Sequence, residues 1–254
     1  MTGVEGLTLE AADGAEPSIE QDGDTIVTVT ADDVEVDGLT LQQQTIGAGD
    51  GIRLEGDGFT LEDSTVLDTD IGLETDNNAD NVDLVVRDSE FRVTERTESG
   101  GNSGYAFGDG DQDFDAATGV FLQDAPGAEI ENTLFTGWKT GVTIEDATDS
   151  PGVTVTDSTF DENRNGIGAG GEGADTDEAD QPTIEDNIFK NTEAGYISNR
   201  VGLDSQEDLI DQNTFEADDE SFSGVDIGED FDPTPVAVGD DNEEFVVPTG
   251  FPAE

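Results

Sequence analysis

Four aspartates alternate along GDGDQDFDAATG, at Asp109, Asp111, Asp113 and Asp115, and oxygen ligands at that spacing suit a Ca²⁺ loop. An EF-hand would place Gly at the sixth position and a bidentate Glu at the twelfth, where this chain has Phe114 and Val120. With 64 acidic side chains among 254 residues, such alternation also arises by accident, so calcium is carried forward only as a candidate cofactor. A second set is basic and aromatic. Arg92, Arg96, Tyr105 and Phe107 share the stretch 92–118, with Arg87 just before it. Trp138, the only tryptophan, precedes Lys139 in FTGWKTG, three residues past Phe135. An aromatic turned outward beside cations is a platform for a sugar ring. The competing reading is a charge ladder that offsets repulsion on an acidic face.

Other chemistry is excluded by composition. Without Cys or His there are no disulfides, thiol nucleophiles, imidazole bases or Cys- and His-ligated metals. Eight basic residues against 64 acidic ones leave a net charge of −56. Nucleic-acid binding by phosphate neutralisation and attraction to anionic lipid both fail on that charge. The run GAGGEGADTDEAD at 168–180 lacks the lysine of a phosphate loop. No apolar stretch is long enough to span a bilayer, and Met1 to Leu9 lack the basic start and apolar core of a signal peptide. Direct membrane insertion is therefore not expected.

Low hydrophobicity with high net charge is also the composition of a disordered acidic polymer, and periodicity argues against it. An aliphatic residue is followed five positions later by Phe, Leu or Val in eight pairs: Val4 and Leu9, Val36 and Leu41, Leu61 and Val66, Val86 and Phe91, Ile130 and Phe135, Val155 and Phe160, Ile184 and Phe189, Ile210 and Phe215. The closing residues lie 32, 25, 25, 44, 25, 29 and 26 positions apart, a period near 25 with insertions. Seven residues after many closing positions comes an apolar residue preceded by Gly, as in Gly72-Leu73, Gly141-Val142, Gly166-Ile167 and Gly195-Tyr196. Short alternating segments bounded by Gly, Asp and Asn read as strands and turns. Lys139 and Arg164 fall at the same place in consecutive repeats.

The expected fold is all-β: a right-handed parallel β-helix of about eight coils over 1–228, interrupted by the insertion 92–118 and followed by an irregular extended strap or cap over 229–254. Phe91, Phe135, Phe160, Phe189 and Phe215 should form one internal ladder. Ser64, Ser89, Thr133, Ser158, Asn187 and Asn213, each two before a closing residue, should stack at the adjacent turn and bond the neighbouring coil's backbone. Val4 to Leu9 starts inside a repeat, so a longer parent chain or a partner is expected to cover that end.

The pattern G-[IV]-x-[LI]…[VI]-x-[VI]-x-[DN]-[NS]-x-F resembles the parallel β-helix repeats of the pectate-lyase-like superfamily, particularly the NosD-type, copper-binding-periplasmic-protein-like repeats abundant in haloarchaeal surface proteins. The resemblance spans roughly residues 4 to 228. It implies the fold but leaves activity open, because that superfamily holds lyases, hydrolases, epimerases, tailspikes and adhesins. Its polygalacturonase-like members use a His that is missing here, and no pectate-lyase motif is visible. The pectin-methylesterase set of two Asp and an Arg needs no His, so activity is not excluded on that ground. With so many carboxylates, a pair at glycosidase spacing carries no weight.

Only two lysines occur, and the acid is spread along the whole chain, which resembles the proteins of extreme halophiles. Molar salt screens such a surface, the Debye length falling to about 3 Å at 1 M. The expected function is a non-enzymatic structural or adhesive module of a halophilic archaeon or its virus, exposed on the cell surface or virion. Its partner would be a glycan or a surface protein, bound through Arg92, Arg96, Tyr105, Phe107, Trp138, Lys139 and Arg164. A homo-oligomer, or a place in a longer chain, is compatible with this. The alternative is a polysaccharide-active enzyme, whose mark would be a cleft where an Arg meets convergent carboxylates on one sheet. There is no N-x-S/T sequon, which shifts weight toward a viral origin or a fragment.

Overall fold

The computed structural model describes residues 6–12, 14–76, 83–94, 118–145, 150–163, 165–169, 182–190, 195–199, 212–216, 233–238 and 243–248. Short strands recur three to a coil and stack in parallel into three sheets. Sheet A holds β1 (Thr8–Glu10), β4 (Glu35–Asp37), β7 (Thr60–Glu62), β10 (Val85–Arg87), β13 (Glu129–Glu131), β16 (Thr154–Thr156) and β19 (Thr183–Glu185). Sheet B holds β2 (Ser18–Gln21), β5 (Thr40–Gln43), β8 (Thr65–Leu67), β11 (Glu90–Arg92), β14 (Leu134–Thr136), β17 (Thr159–Asp161), β20 (Ile188–Lys190) and β22 (Thr214–Glu216). Sheet C runs β3 (Val27–Val29), β6 (Ile52–Leu54), β9 (Ile71–Thr75), β12 (Thr118–Leu122), β15 (Thr140–Ile144), β18 (Asn165–Ala169) and β21 (Gly195–Asn199). The result is a β-solenoid, as the repeat implied. Seven coils have all three strands; five of them, β1 to β15, have every strand side chain described, and the eighth shows only β22.

Three-residue strands leave one side chain pointing in and two pointing out. The inward column of sheet A is Val36, Leu61, Val86, Ile130, Val155 and Ile184, each no more than 1% exposed. That of sheet B is the aromatic ladder: Phe91 on Phe135, Phe135 on Phe160 and Phe160 on Phe189, with centroids 5.2, 5.0 and 4.8 Å apart and nearly parallel rings. Phe215 continues it in backbone register with Phe189. The glycine that recurs in sheet C belongs to the same device. A Cβ on Gly72 would lie 2.3 Å from the Gly119 carbonyl oxygen and 2.5 Å from Cδ1 of Phe91. At Gly141 it would lie 2.6 Å from Cδ1 of Phe160. Sheet C can approach the phenyl edges only without a side chain at that position.

The corner between sheets A and B is equally regular. Gly38, Asp63, Asp88, Asn132, Asp157 and Asp186 all take left-handed backbone, with φ between 46° and 69°. Asp and Asn tolerate that conformation better than other side chains. The buried hydroxyl or amide that follows bonds the coil before it. Ser64 Oγ accepts the Leu39 N–H at 3.1 Å, Ser89 Oγ that of Ser64 at 3.2 Å, and Ser158 Oγ that of Thr133 at 3.2 Å. Asn187 Oδ1 accepts the Ser158 N–H at 3.0 Å while its Nδ2 donates to the Val155 carbonyl at 2.8 Å.

Two expected registers shift. VEGLTL at 4–9 looks like VDGLTL at 36–41, yet Leu9 pairs with Val36 and Ile19 takes the place opposite Leu41. Likewise Ile197, not Tyr196, stands opposite Ile167. The C-terminal stretch, expected to be irregular, includes an antiparallel hairpin: β23 (Pro233–Val238) pairs with β24 (Glu243–Pro248), and β24 pairs antiparallel with β21. The parallel stack of sheet C ends there.

The outward rows differ in charge. Sheet A shows Glu10, Glu35, Asp37, Glu62, Glu129, Glu131 and Glu185 against Arg87 alone. Sheet B is threonine-rich: its described outward side chains carry Glu20, Glu90 and Asp161 against Arg92 and Lys190.

Candidate functional site

The acidic wall of sheet A is broken at Arg87, which stands directly across the register from Glu62 on the preceding coil. Its Nη2 lies 2.7 Å from the Glu62 carboxylate, with the two side chains 44% and 25% exposed. This hydrogen bond, and then the carboxylate's charge, raise the Arg87 pKa further, so the guanidinium stays charged. On the other side Arg87 faces Glu131, its register partner on the next coil. The left-handed corner beside them turns the side chains of Asp88, Asn132 and Asp157 to the same place, and the Asn132 amide donates to Asp88. Together Glu62, Arg87, Asp88, Glu131, Asn132 and Asp157 line a shallow, open groove. Guanidinium, amide and carboxylates supply donors and acceptors in planar pairs, the equipment for gripping vicinal hydroxyls. Among the described residues no three acidic side chains gather as a metal site would need.

Of the residues expected to bind, the described ones, Arg92, Trp138 and Lys139, do not line this groove. Trp138 is fully buried rather than outward. Gly137, at φ 84°, turns the chain back on itself, and the indole nitrogen donates to the Phe91 carbonyl at 2.9 Å. Its backbone N–H is taken by the Oδ1 of buried Asn163 at 2.8 Å. Trp138 thus extends the core and cannot be a sugar platform. Arg92 does face out, 44% exposed, but pairs within its own strand with Glu90 at 3.3 Å. Lys139 is half-buried, and its carbonyl accepts the Asn165 N–H. Arg96, Tyr105, Phe107, Arg164, Asp109, Asp111, Asp113 and Asp115 lie outside the described residues.

Charge pairs across coils do form among the described residues. Arg53 with Glu74 at 2.8 Å, Arg87 with Glu62, and Lys190 with Asp161 at 3.9 Å each join register partners on adjacent coils. Arg87 was not among the candidates, although the sequence held its signal: Glu62 precedes it by one 25-residue period.

The sequence matches the family described as right-handed beta helix region over residues 18–202. The chain belongs to the right-handed β-helix family. The matched stretch runs from β2 past β21, so it covers the stacked rings from Phe91 to Phe189 and the Arg87 groove alike. No curated protein matches the chain. Since β-helix family membership settles architecture and not activity, function has to be argued from the groove.

Proposed function

We propose that this β-helix is a non-enzymatic structural or adhesive module of a halophilic archaeon or its virus, exposed on the cell surface or virion, and that it holds a glycan in the Arg87 groove. The groove carries this reading: an arginine with an amide and four carboxylates along one edge of a rigid rod, open to water. With Arg87 matched by Glu62, the remaining carboxylates keep the groove negative, which favours a neutral or amine-bearing sugar over an anionic one. Calcium remains a proposal for the 109–115 aspartates alone. The test is retention on haloarchaeal cells and on their isolated surface glycans in 3 M salt. Arg87→Ala should lose retention while keeping its circular dichroism, and full retention by that variant would overturn the assignment.

A polysaccharide-active enzyme is the second reading, favoured by the same meeting of an Arg with convergent carboxylates on one sheet. Among the described residues nothing walls the groove from solvent, and acid–base chemistry gains most in closed, dry sites. Release of reducing ends or unsaturated products from any acidic or neutral polysaccharide would establish it over adhesion.

A further inference from the structure

The outward face of sheet B is nearly neutral on a molecule of net charge −56. From β11 to β20 it presents Glu90, Arg92, Leu134, Thr136, Thr159 and Asp161, then Ile188, 36% exposed, and Lys190. We propose that this face pairs with the same face of a second copy, the two rods related by a two-fold axis parallel to their length. Such an axis sets each coil against its own counterpart and exchanges the two outward positions of every strand. Arg92 then meets Glu90 of the second copy, and Glu90 meets its Arg92. Ile188 lies against the aliphatic stem of Lys190, and Leu134 against the methyl of Thr136. No like charges face each other. The same operation on sheet A would set Glu35 against Asp37 and Glu129 against Glu131, which prohibits association there.

The strip is narrow. Seven coils at about 4.8 Å and three-residue strands give roughly 34 by 10 Å, well under the roughly 800 Å² per partner of a stable interface. Pairing is therefore transient in dilute solution and gains strength where the rods are crowded side by side. Salt favours it: molar ions screen the overall repulsion to about 3 Å, while charges in direct contact are screened less.

Sedimentation in 3 M KCl over a rising protein concentration tests this, using the whole chain and two variants, Glu90→Arg and Arg92→Glu. Both side chains point to solvent, so circular dichroism should be unchanged. Wild type should self-associate, and each variant alone should do so about tenfold less, because like charges then meet. An equimolar mixture of the two variants should recover association, since four opposite charges then oppose one another. A wild type that stays monomeric at every concentration, or a mixture no better than its components, overturns the proposal. So does Arg92→Glu keeping self-association while losing glycan retention, which would make this face the ligand's. Loss of the Arg87 groove's glycan binding leaves these readouts untouched.

Discussion

At the scale of single residues, the same kinds of side chain serve inside and outside the rod, and their neighbours decide their roles. Phe160 sits between Phe135 and Phe189 with both rings stacked on it. Phe160→Ala should therefore cost about 3–5 kcal/mol, the range for a truncated core phenylalanine, read as a drop in thermal midpoint. Thr159→Ala, one residue earlier and half-buried on the outer face, should be nearly silent. Equal losses would put the ladder in the wrong register. Asp50 makes the opposite point about acid. Burial raises its pKa from 3.8, outweighing the nearby Arg53 and the hydrogen bond from Thr25, both of which lower it. A carboxyl whose pKa is higher folded than unfolded carries a penalty that is complete above the folded value and vanishes below the unfolded one. Asp50→Asn should thus raise stability at pH 7, and its advantage over wild type should shrink as pH falls through the acid range toward 3.8. A constant difference across pH would mean that desolvation is not the cause.

At the scale of strands and corners, most of the rod could be read from spacing because one contact repeats. Phe at the closing position and Ser or Asn two before it recur at the coil period since each needs its own kind above and below. Asn187 shows the cost of a gap: it accepts from Ser158, donates to the Val155 carbonyl, and its own N–H is held by Asn213 at 3.1 Å. Asn187→Ala should leave the buried Ser158 N–H unpaired and remove a donor from the Val155 carbonyl, and cost about 1–3 kcal/mol. Asn187→Ser, able to accept but not to reach Val155, should fall between. Denaturant titration separates the three, and an alanine variant as stable as wild type would remove the ladder from the list of stabilising elements. What was illegible depended on backbone turns that spacing does not encode. Trp138 was expected outside because it follows the ladder by three residues, yet the left-handed Gly137 folds it in. Leu9 was misread because the closing strand of its coil is displaced to Ser18–Gln21 by the intervening segment. The Arg87 groove was missed because its residues come from four coils and meet only through register.

For the whole molecule, the question is how a rod with net charge −56 stays wound. Part of the acid is architectural, since most of the non-glycine residues described in left-handed backbone are aspartates, from Asp33 to Asp186. Part of it stacks directly: Glu10, Asp37 and Glu62 occupy one outward position on three consecutive coils. Charges repeated at the coil spacing of about 4.8 Å repel unless the screening length is comparable. At 0.1 M salt that length is about 10 Å and spans two coils, whereas at 1 M it is about 3 Å and spans less than one. The two lengths cross near 0.4 M, because screening length falls as the square root of ionic strength. Stability should therefore rise most steeply over the first few tenths molar and flatten toward 4 M. Ion pairs such as Arg87 with Glu62 weaken over the same range, but the four basic side chains paired in them, Arg53, Arg87, Arg92 and Lys190, cannot offset 64 acids. Far-ultraviolet circular dichroism and thermal midpoints from 0.1 to 4 M in both KCl and NaCl should trace one shared curve, since screening depends on ionic strength and not on the cation. A fold equally stable at both ends would sink the halophilic reading, and a sharp preference for one cation would replace screening with specific ion binding along the acidic rows.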